Sequence, residues 1–358
     1  MTRYVVIGAG AVGTALAAEF TLAGIDSVLV ARGAQLRALT TRPLRYLRPG
    51  DARDVRVAVA SGPEDIELHA DDVLMLTVKA HQAEATLADW SRIVVDSGES
   101  VTTTLPLVTL QNGLDTERGA SRYFTQVVGA SIWTPARYQD PGVTTVHGVD
   151  QAGLVWIGRY PGGTDDTVRA IAADLASARF PSQVVDDIGR WKRSKLLSNL
   201  GNAVDVFAAD AATRQLVEEA LRREARQVFA AAGLSVADNA AESQLDTTQF
   251  AVGDIPGHAR ARSTWQSLQR GAGSVETDYL NGEIVLLGKQ VGVDTPVNRT
   301  IQNAVRRLVV EGSAPGEVQL SSVVDLSTLD AAAIDVRTDD PDAPALSSSS
   351  SSSVASRS

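Results

Sequence analysis

The chain has 358 residues, 33 basic and 43 acidic side chains and a formal net charge of −10, a field that repels a phosphate backbone and argues against nucleic acid as a partner. It contains no cysteine, which excludes disulfides, thiolate nucleophiles and cysteine-ligated metals. The four histidines (His69, His81, His147, His258) show no ligand spacing, so no metal site is expected.

The length suggests two domains with additions. The N-terminus has no basic start followed by an apolar signal core, and no run of about 18 apolar residues could span a bilayer. A cytoplasmic protein that avoids membranes is expected.

In chain order, Arg3 to Ile7 reads as a short buried strand and Ala11 to Ala23 as an Ala-rich helix. Ser27 to Ala31 follows as a second strand after the turn at Gly24. Strand, glycine turn, helix and strand within about 30 residues make a βαβ unit, which implies a parallel sheet. Apolar runs at Asp72 to Val78, Leu105 to Leu110 and Leu154 to Gly158 read as further strands, so the first half is α/β.

From about Asp187 the pattern turns helical: Arg190 to Ala208, Thr213 to Ala232, Val275 to Val291 and Thr300 to Leu308. Domains are accordingly expected at 1–185 and 186–315, with an extension over 316–336. The segment 337–358 ends in a serine run, Ser347 to Ser353, and is too poor in apolar residues to offset its ordering entropy; it is expected to be a disordered tail.

The sharpest motif is Gly8-Ala9-Gly10-Ala11-Val12-Gly13, a G-x-G-x-x-G pattern directly after a strand and opening a helix. Gly8 suits the tight turn, Gly10 the close approach of a pyrophosphate, and Gly13 the packing of helix on strand. Helix N-terminal N–H groups then face the phosphates. The alternative is a glycine-rich packing turn without a ligand.

The second strand ends Val30-Ala31-Arg32, where an NAD enzyme usually has an acid for the ribose and an NADP enzyme an arginine for the 2′-phosphate. Asp26 comes too early, and Arg32 carries the planar donor fork suited to phosphate, so NADP(H) is favoured over a merely solvated arginine.

Three later segments carry candidate chemistry. Leu76-Thr77-Val78-Lys79 is a strand ending in a lysine, and Leu110-Gln111-Asn112-Gly113 a strand ending in an amide and a glycine. Ligands of open α/β sheets bind outside the carboxyl ends of strands, although each segment alone reads equally as a turn. In Arg190-Trp191-Lys192-Arg193-Ser194-Lys195-Leu196-Leu197-Ser198-Asn199-Leu200-Gly201-Asn202, a helix would put Lys195, Asn199 and Asn202 on one face. Asparagine is a poor helix former, so two of them beside a lysine suggest a site; a solvated polar face is the alternative. Val275-Glu276-Thr277-Asp278-Tyr279-Leu280-Asn281-Gly282-Glu283 places acids in what reads as a first helical turn, where they are also simply good dipole partners.

Taken in order, GAGAVG, TVKAHQ, LQNG, RWKRSKLLSNLGN, STWQSL and VETDYLNG make the chain resemble the ketopantoate reductase (2-dehydropantoate 2-reductase) family, from the first motif to about residue 310. The resemblance implies an N-terminal Rossmann domain and an all-α C-terminal domain of the 6-phosphogluconate dehydrogenase-like kind, with NADPH and a small 2-keto acid in the cleft between them. It implies Lys195 as catalytic general acid and Glu276 as its acidic partner, orienting the lysine or holding a substrate hydroxyl. Lys79 and Asn112 would serve the cofactor side with Gly8, Ala9, Gly10, Ala11, Val12, Gly13 and Arg32. Asn199 and Asn202 would contact substrate, as would the hydroxyl of Thr264, with the neighbouring Ser263 as the alternative.

Two departures from the family pattern bear on the pocket. The family's second helix asparagine stands eight residues after the lysine, where this chain has Ala203, with the amide at Asn202; another pocket asparagine aligns near Ala261. Ketopantoate is the first substrate expected, a different small 2-keto acid handled by a paralogue the second, and a nucleotide sensor without turnover the competing class. A homodimer is left open.

Overall fold

The computed structural model describes residues 2–138, 140–247, 250–258, 265, 276–327 and 329. Ser263, Thr264, Ala261 and the tail 337–358 lie outside these residues.

Twelve strands are described: β1 (Tyr4–Ile7), β2 (Ser27–Val30), β3 (Leu44–Arg48), β4 (Asp51–Val55), β5 (Ala58–Ala60), β6 (Val73–Leu76), β7 (Leu107–Thr109), β8 (Val127–Trp133), β9 (Ala136–Tyr138), β10 (Val143–Val146), β11 (Leu154–Arg159) and β12 (Ser182–Val184). The main sheet runs β12-β11-β8-β7-β6-β1-β2-β5. β1 lies between β2 and β6, parallel to both, and its four residues are buried because helices cover both faces. The expected sheet is therefore present but mixed at one place. β11 pairs antiparallel with β8, Leu154 opposite Trp133, because the chain between them passes through β9 and β10 instead of a crossover helix.

A second sheet, β4-β3-β10-β9, was not foreseen. It packs over the Ala11–Ala23 helix, where Thr14 shares a hydroxyl bond with Thr144 at 2.7 Å. Behind it, Glu19 of that helix accepts from Arg48 at 2.9 Å and from Tyr46 at 2.8 Å, all three side chains being buried. A lone buried carboxylate would be costly, and two donors at one oxygen repay that cost. The helix carrying the glycine motif is thus held from both sides.

The expected second-half helices appear with shifted ends: Ile188–Asn199, Ala211–Ala231, Asn281–Val291 and Pro296–Glu311. The first is shorter than its pattern suggested. After Asn199 the backbone tightens into a 3-10 turn over Leu200–Ala203, where Gly201 and Asn202 have weak α-helical preference. The acids at 276–279 likewise sit in a 3-10 turn, Glu276–Tyr279, before the helix begins at Asn281. Leu196, Phe207, Leu221, Val228, Ile284, Ile301 and Val305 share one helical core, and Glu224 supplies an acceptor to the backbone N–H groups of Val297 and Asn298 at 2.8 and 3.0 Å. That carboxylate meets the positive end of the last long helix. The chain beyond it returns to this core: Leu320, Val324 and Leu329 are buried there, and Leu320 N–H donates to Ala208 carbonyl at 2.9 Å.

The two halves meet through aromatic stacking. Trp191 of the Ile188–Asn199 helix lies over Trp156 of β11 with ring centroids 5.3 Å apart and planes 14° from parallel, while Trp133 meets Trp156 edge-on at 5.2 Å. Buried aromatic area of this size anchors the helix on the sheet.

Candidate active site

The glycine motif forms the turn between β1 and the Ala11–Ala23 helix. Gly8 adopts φ +120°, a conformation that a β-carbon disfavours, and a β-carbon there would lie 2.7 Å from Val78 N. At Gly13 a β-carbon would come within 1.9 Å of the Gly8 carbonyl oxygen, so the helix packs directly on the loop. Gly10 is different: nothing lies within 4 Å of where its β-carbon would be, and no side chain caps the helix start. An open backbone with uncapped helix N–H groups is the cradle a pyrophosphate requires, so the residues present fit a dinucleotide. Arg32 immediately precedes the Gly33–Thr41 helix without capping it by a side-chain hydrogen bond, is exposed, and stands outside the main cavity just after β2.

That cavity, about 790 Å³, lies between the sheet ends and the helical half. Gly10, Ala11 and Val12 line one end; Lys79, Asn112, Lys195, Asn199, Asn202 and Glu276 line the rest. The lysine helix and the following 3-10 turn bring the last of these together by a route other than the continuous helix expected: in a 3-10 turn residues three apart eclipse, so Asn202 falls in line with Asn199. Ile132, Thr134, Pro135, Ala136, Arg137, Tyr138 and His147 form a wall of β8, β9 and β10 that the sequence did not reveal, because it depends on the second sheet folding over the cleft.

Lys195 donates through Nζ to the Ile132 carbonyl. Burial pushes its pKa down to about 7; the nearby Lys192 charge adds to this and Glu276 opposes it. Asn199 donates its amide to Asn112 Oδ1 at 3.1 Å, a bond that joins the lysine helix to the end of β7. The Glu276 carboxylate accepts from Lys79 at 3.3 Å, and Lys195 feels it as a neighbouring charge without a direct hydrogen bond, which leaves the substrate-hydroxyl role of Glu276 open. Its 3-10 turn carries the carboxylate to the strand-end lysine. Asp278, two residues on, is spent on Gln302 and Arg306, both at 2.8 Å, and has a structural task.

Glu283 sits nearby, mostly buried, with its pKa pushed up to about 7 by burial and then by Asp115, against Arg118. The folded state therefore keeps a proton that the unfolded chain loses near 4.5, and stability falls as pH rises from there through 7. Glu283→Gln is expected to recover this loss, about 3 kcal/mol at most, so that its melting temperature gains more at pH 8 than at pH 5. Equal shifts at the two pH values would contradict the assignment.

A glycine cradle at the mouth of a parallel sheet, facing a desolvated lysine on an adjoining helical domain, defines a two-domain dinucleotide-dependent oxidoreductase. A family model described as ketopantoate reductase PanE/ApbA matches residues 4–162, and its C-terminal counterpart matches residues 195–309. The chain belongs to this family of NADP-dependent oxidoreductases. A 2-dehydropantoate 2-reductase of Archaeoglobus fulgidus is 30% identical over 314 residues, which is 85% of this chain and 97% of that protein. Among solved structures, a PanE/ApbA family ketopantoate reductase from Ralstonia eutropha shares 22% identity with a TM-score of 0.69, covering 87% of this chain and 99% of the other. D-mandelate dehydrogenase, solved with NADH and anilino(oxo)acetate, shares 18% identity with a TM-score of 0.70, covering 88% and 100%. These two establish a common fold. Among the described residues no helix is long and apolar enough to cross a membrane, and no cluster of metal-ligating side chains occurs.

Proposed function

We propose that the protein reduces a small 2-keto acid to the 2-hydroxy acid with NADPH in the cytoplasm, that 2-dehydropantoate is its first substrate, and that Lys195 is the general acid. The observation carrying this is the Lys195 ammonium at the interdomain cavity, on the same lining as the glycine loop and Asn112. The bound nicotinamide would supply hydride to the ketone carbon. Lys195 Nζ, charged below about pH 7, holds the proton that the developing alkoxide takes, and its positive charge lowers the same barrier electrostatically. Asn199 and Asn112, already bonded to each other, can turn amide donors or acceptors to the substrate's polar groups. Lys79 offers a second cation at the strand end, held by Glu276. Gly8, Ala9, Gly10, Ala11, Val12 and Gly13 would hold the pyrophosphate, and Arg32 the 2′-phosphate. Because the lysine must be protonated, the reduction rate is expected to fall as pH rises through about 7.

A second reading, a different small 2-keto acid, is favoured by one observation: Asn202, and not residue 203, lines the cavity, while Ala203 is buried in the helical core. Moving an amide by one position alters the polar contacts available to a substrate hydroxyl. Initial rates of NADPH oxidation with ketopantoate and a panel of branched and aryl 2-keto acids separate the two. Ketopantoate is expected to have the highest kcat/KM, and no turnover with any 2-keto acid would leave a nucleotide sensor. Run with both nucleotides, Arg32→Ala is expected to weaken NADPH by about tenfold or more, for a lost charge-assisted pair, and NADH little. Equal losses would reject the 2′-phosphate assignment.

A further inference from the structure

Lys192 stands one turn before Lys195 on the same helix and has no place in the chemistry above. Its ammonium, only 4% exposed, donates to the Gln111 carbonyl at 3.0 Å and to the Glu117 carboxylate. Glu117 is 1% exposed and also accepts from the Thr109 hydroxyl of β7 at 2.7 Å. Gln111 in turn donates its side-chain amide to the carbonyls of Leu76 and Val78, at 2.9 and 2.8 Å, tying the ends of β6 and β7 together. The adjacent residue is Asn112, which accepts from Asn199. Lys192 and Asn199 are seven apart, two helical turns, so both grip the same strand end and Lys195 lies between them.

A buried ion pair is a poor stabiliser, since desolvating both charges offsets most of their attraction, and an apolar pair of similar size often serves as well. A role beyond cohesion is therefore indicated for it. The charges that act on Lys195 are Lys192 on its own helix and Glu276 from the 3-10 turn, itself paired with Lys79, and Arg137, His147 and Asp205 line the same cavity; groups near Glu117 include Arg118 and the half-buried Tyr160 phenol.

We propose that Lys192, through its pair with Glu117, is a positioning residue for the reduction: it fixes the register of the Lys195 helix on the strand end that carries Asn112 and keeps a like charge beside Lys195. This rests on Lys195 being the proton donor.

The test uses the full chain with Lys192→Met, the size-matched double variant Lys192→Met/Glu117→Met, and Lys195→Ala. The double variant leaves no unpaired buried charge, so it is expected to fold where the single variant fails. Two readouts are taken: kcat and KM for ketopantoate across pH, and the pH midpoint of Lys195 acetylation by acetic anhydride in nucleotide-free protein, followed by mass spectrometry. A purely structural pair would change the melting temperature and leave that midpoint where it was. The expectation is a midpoint raised by about one pH unit once the like charge is gone, with kcat lowered about tenfold through misplacement of the lysine and KM changed less. A folded double variant with the native midpoint and native kcat overturns the inference. If Lys195→Ala abolishes turnover in the same series, the general-acid reading stands and only the role of Lys192 falls; if Lys195→Ala turns over normally, the general-acid reading falls, and the inference falls with it.

Discussion

Lys195→Ala is expected to lower kcat by about 10²- to 10⁴-fold, equivalent to about 3 to 5 kcal/mol of transition-state stabilisation, while NADPH still binds. In the proposed mechanism the lysine would contribute in two ways that alanine cannot replace: a proton where negative charge develops, and a fixed cation in the cleft. Its only direct hydrogen bond described is to the Ile132 carbonyl, so truncation removes one bond and breaks no ion pair. A modest change in melting temperature is therefore expected, and stopped-flow single turnovers together with NADPH fluorescence titration separate a chemical defect from a binding one. Added small amines should restore part of the lost rate. Native turnover in the variant would remove Lys195 from the proposed role.

The second large effect is a contrast between two glycines of one motif. Gly13→Ala would drive a β-carbon to within 1.9 Å of the Gly8 carbonyl, a backbone atom that can retreat only if the loop after β1 unpacks. Overpacking of this kind typically costs about 1 to 3 kcal/mol, and more where backbone must move, so the variant should lose several degrees of melting temperature as well as its nucleotide. Gly10→Ala meets nothing within 4 Å, so the free protein should melt like the wild type, while NADPH affinity is expected to fall steeply, because the methyl group would occupy the space proposed for the pyrophosphate. Calorimetric titration of NADPH beside thermal melts reads both. Native affinity in Gly10→Ala would show that the motif is a packing turn.

Much of this site could be read from local order alone. The glycine motif needs only a strand before it and a helix after it, and the helix at Ala11–Ala23 begins and ends where its composition and Gly24 indicated. Lys79 and Asn112 follow apolar runs that read as buried strands, although each strand end alone read equally as a turn, and the lysine helix carries its own spacing. Harder to read were features made by residues far apart in the chain. The β4-β3-β10-β9 sheet rests on pairings such as Val143 with Arg45, about a hundred residues apart, and no local period announces it. The partner of Glu276 and the buried Lys192–Glu117 pair depend on the approach of two domains, and charged side chains read by default as solvated.

What the amino-acid order determined by itself was the set of chemical groups and the class of fold: periodicity and turn residues act over a few neighbours, and they suffice to build a strand-glycine-helix loop and a helix that carries a lysine and, one turn on, an asparagine. What only the tertiary structure decided was which of those groups meet. Lys195 has its pKa drawn down to about 7 because packing removes water from it and sets Lys192 beside it, and desolvation is a property of the assembled cleft that no stretch of sequence possesses alone.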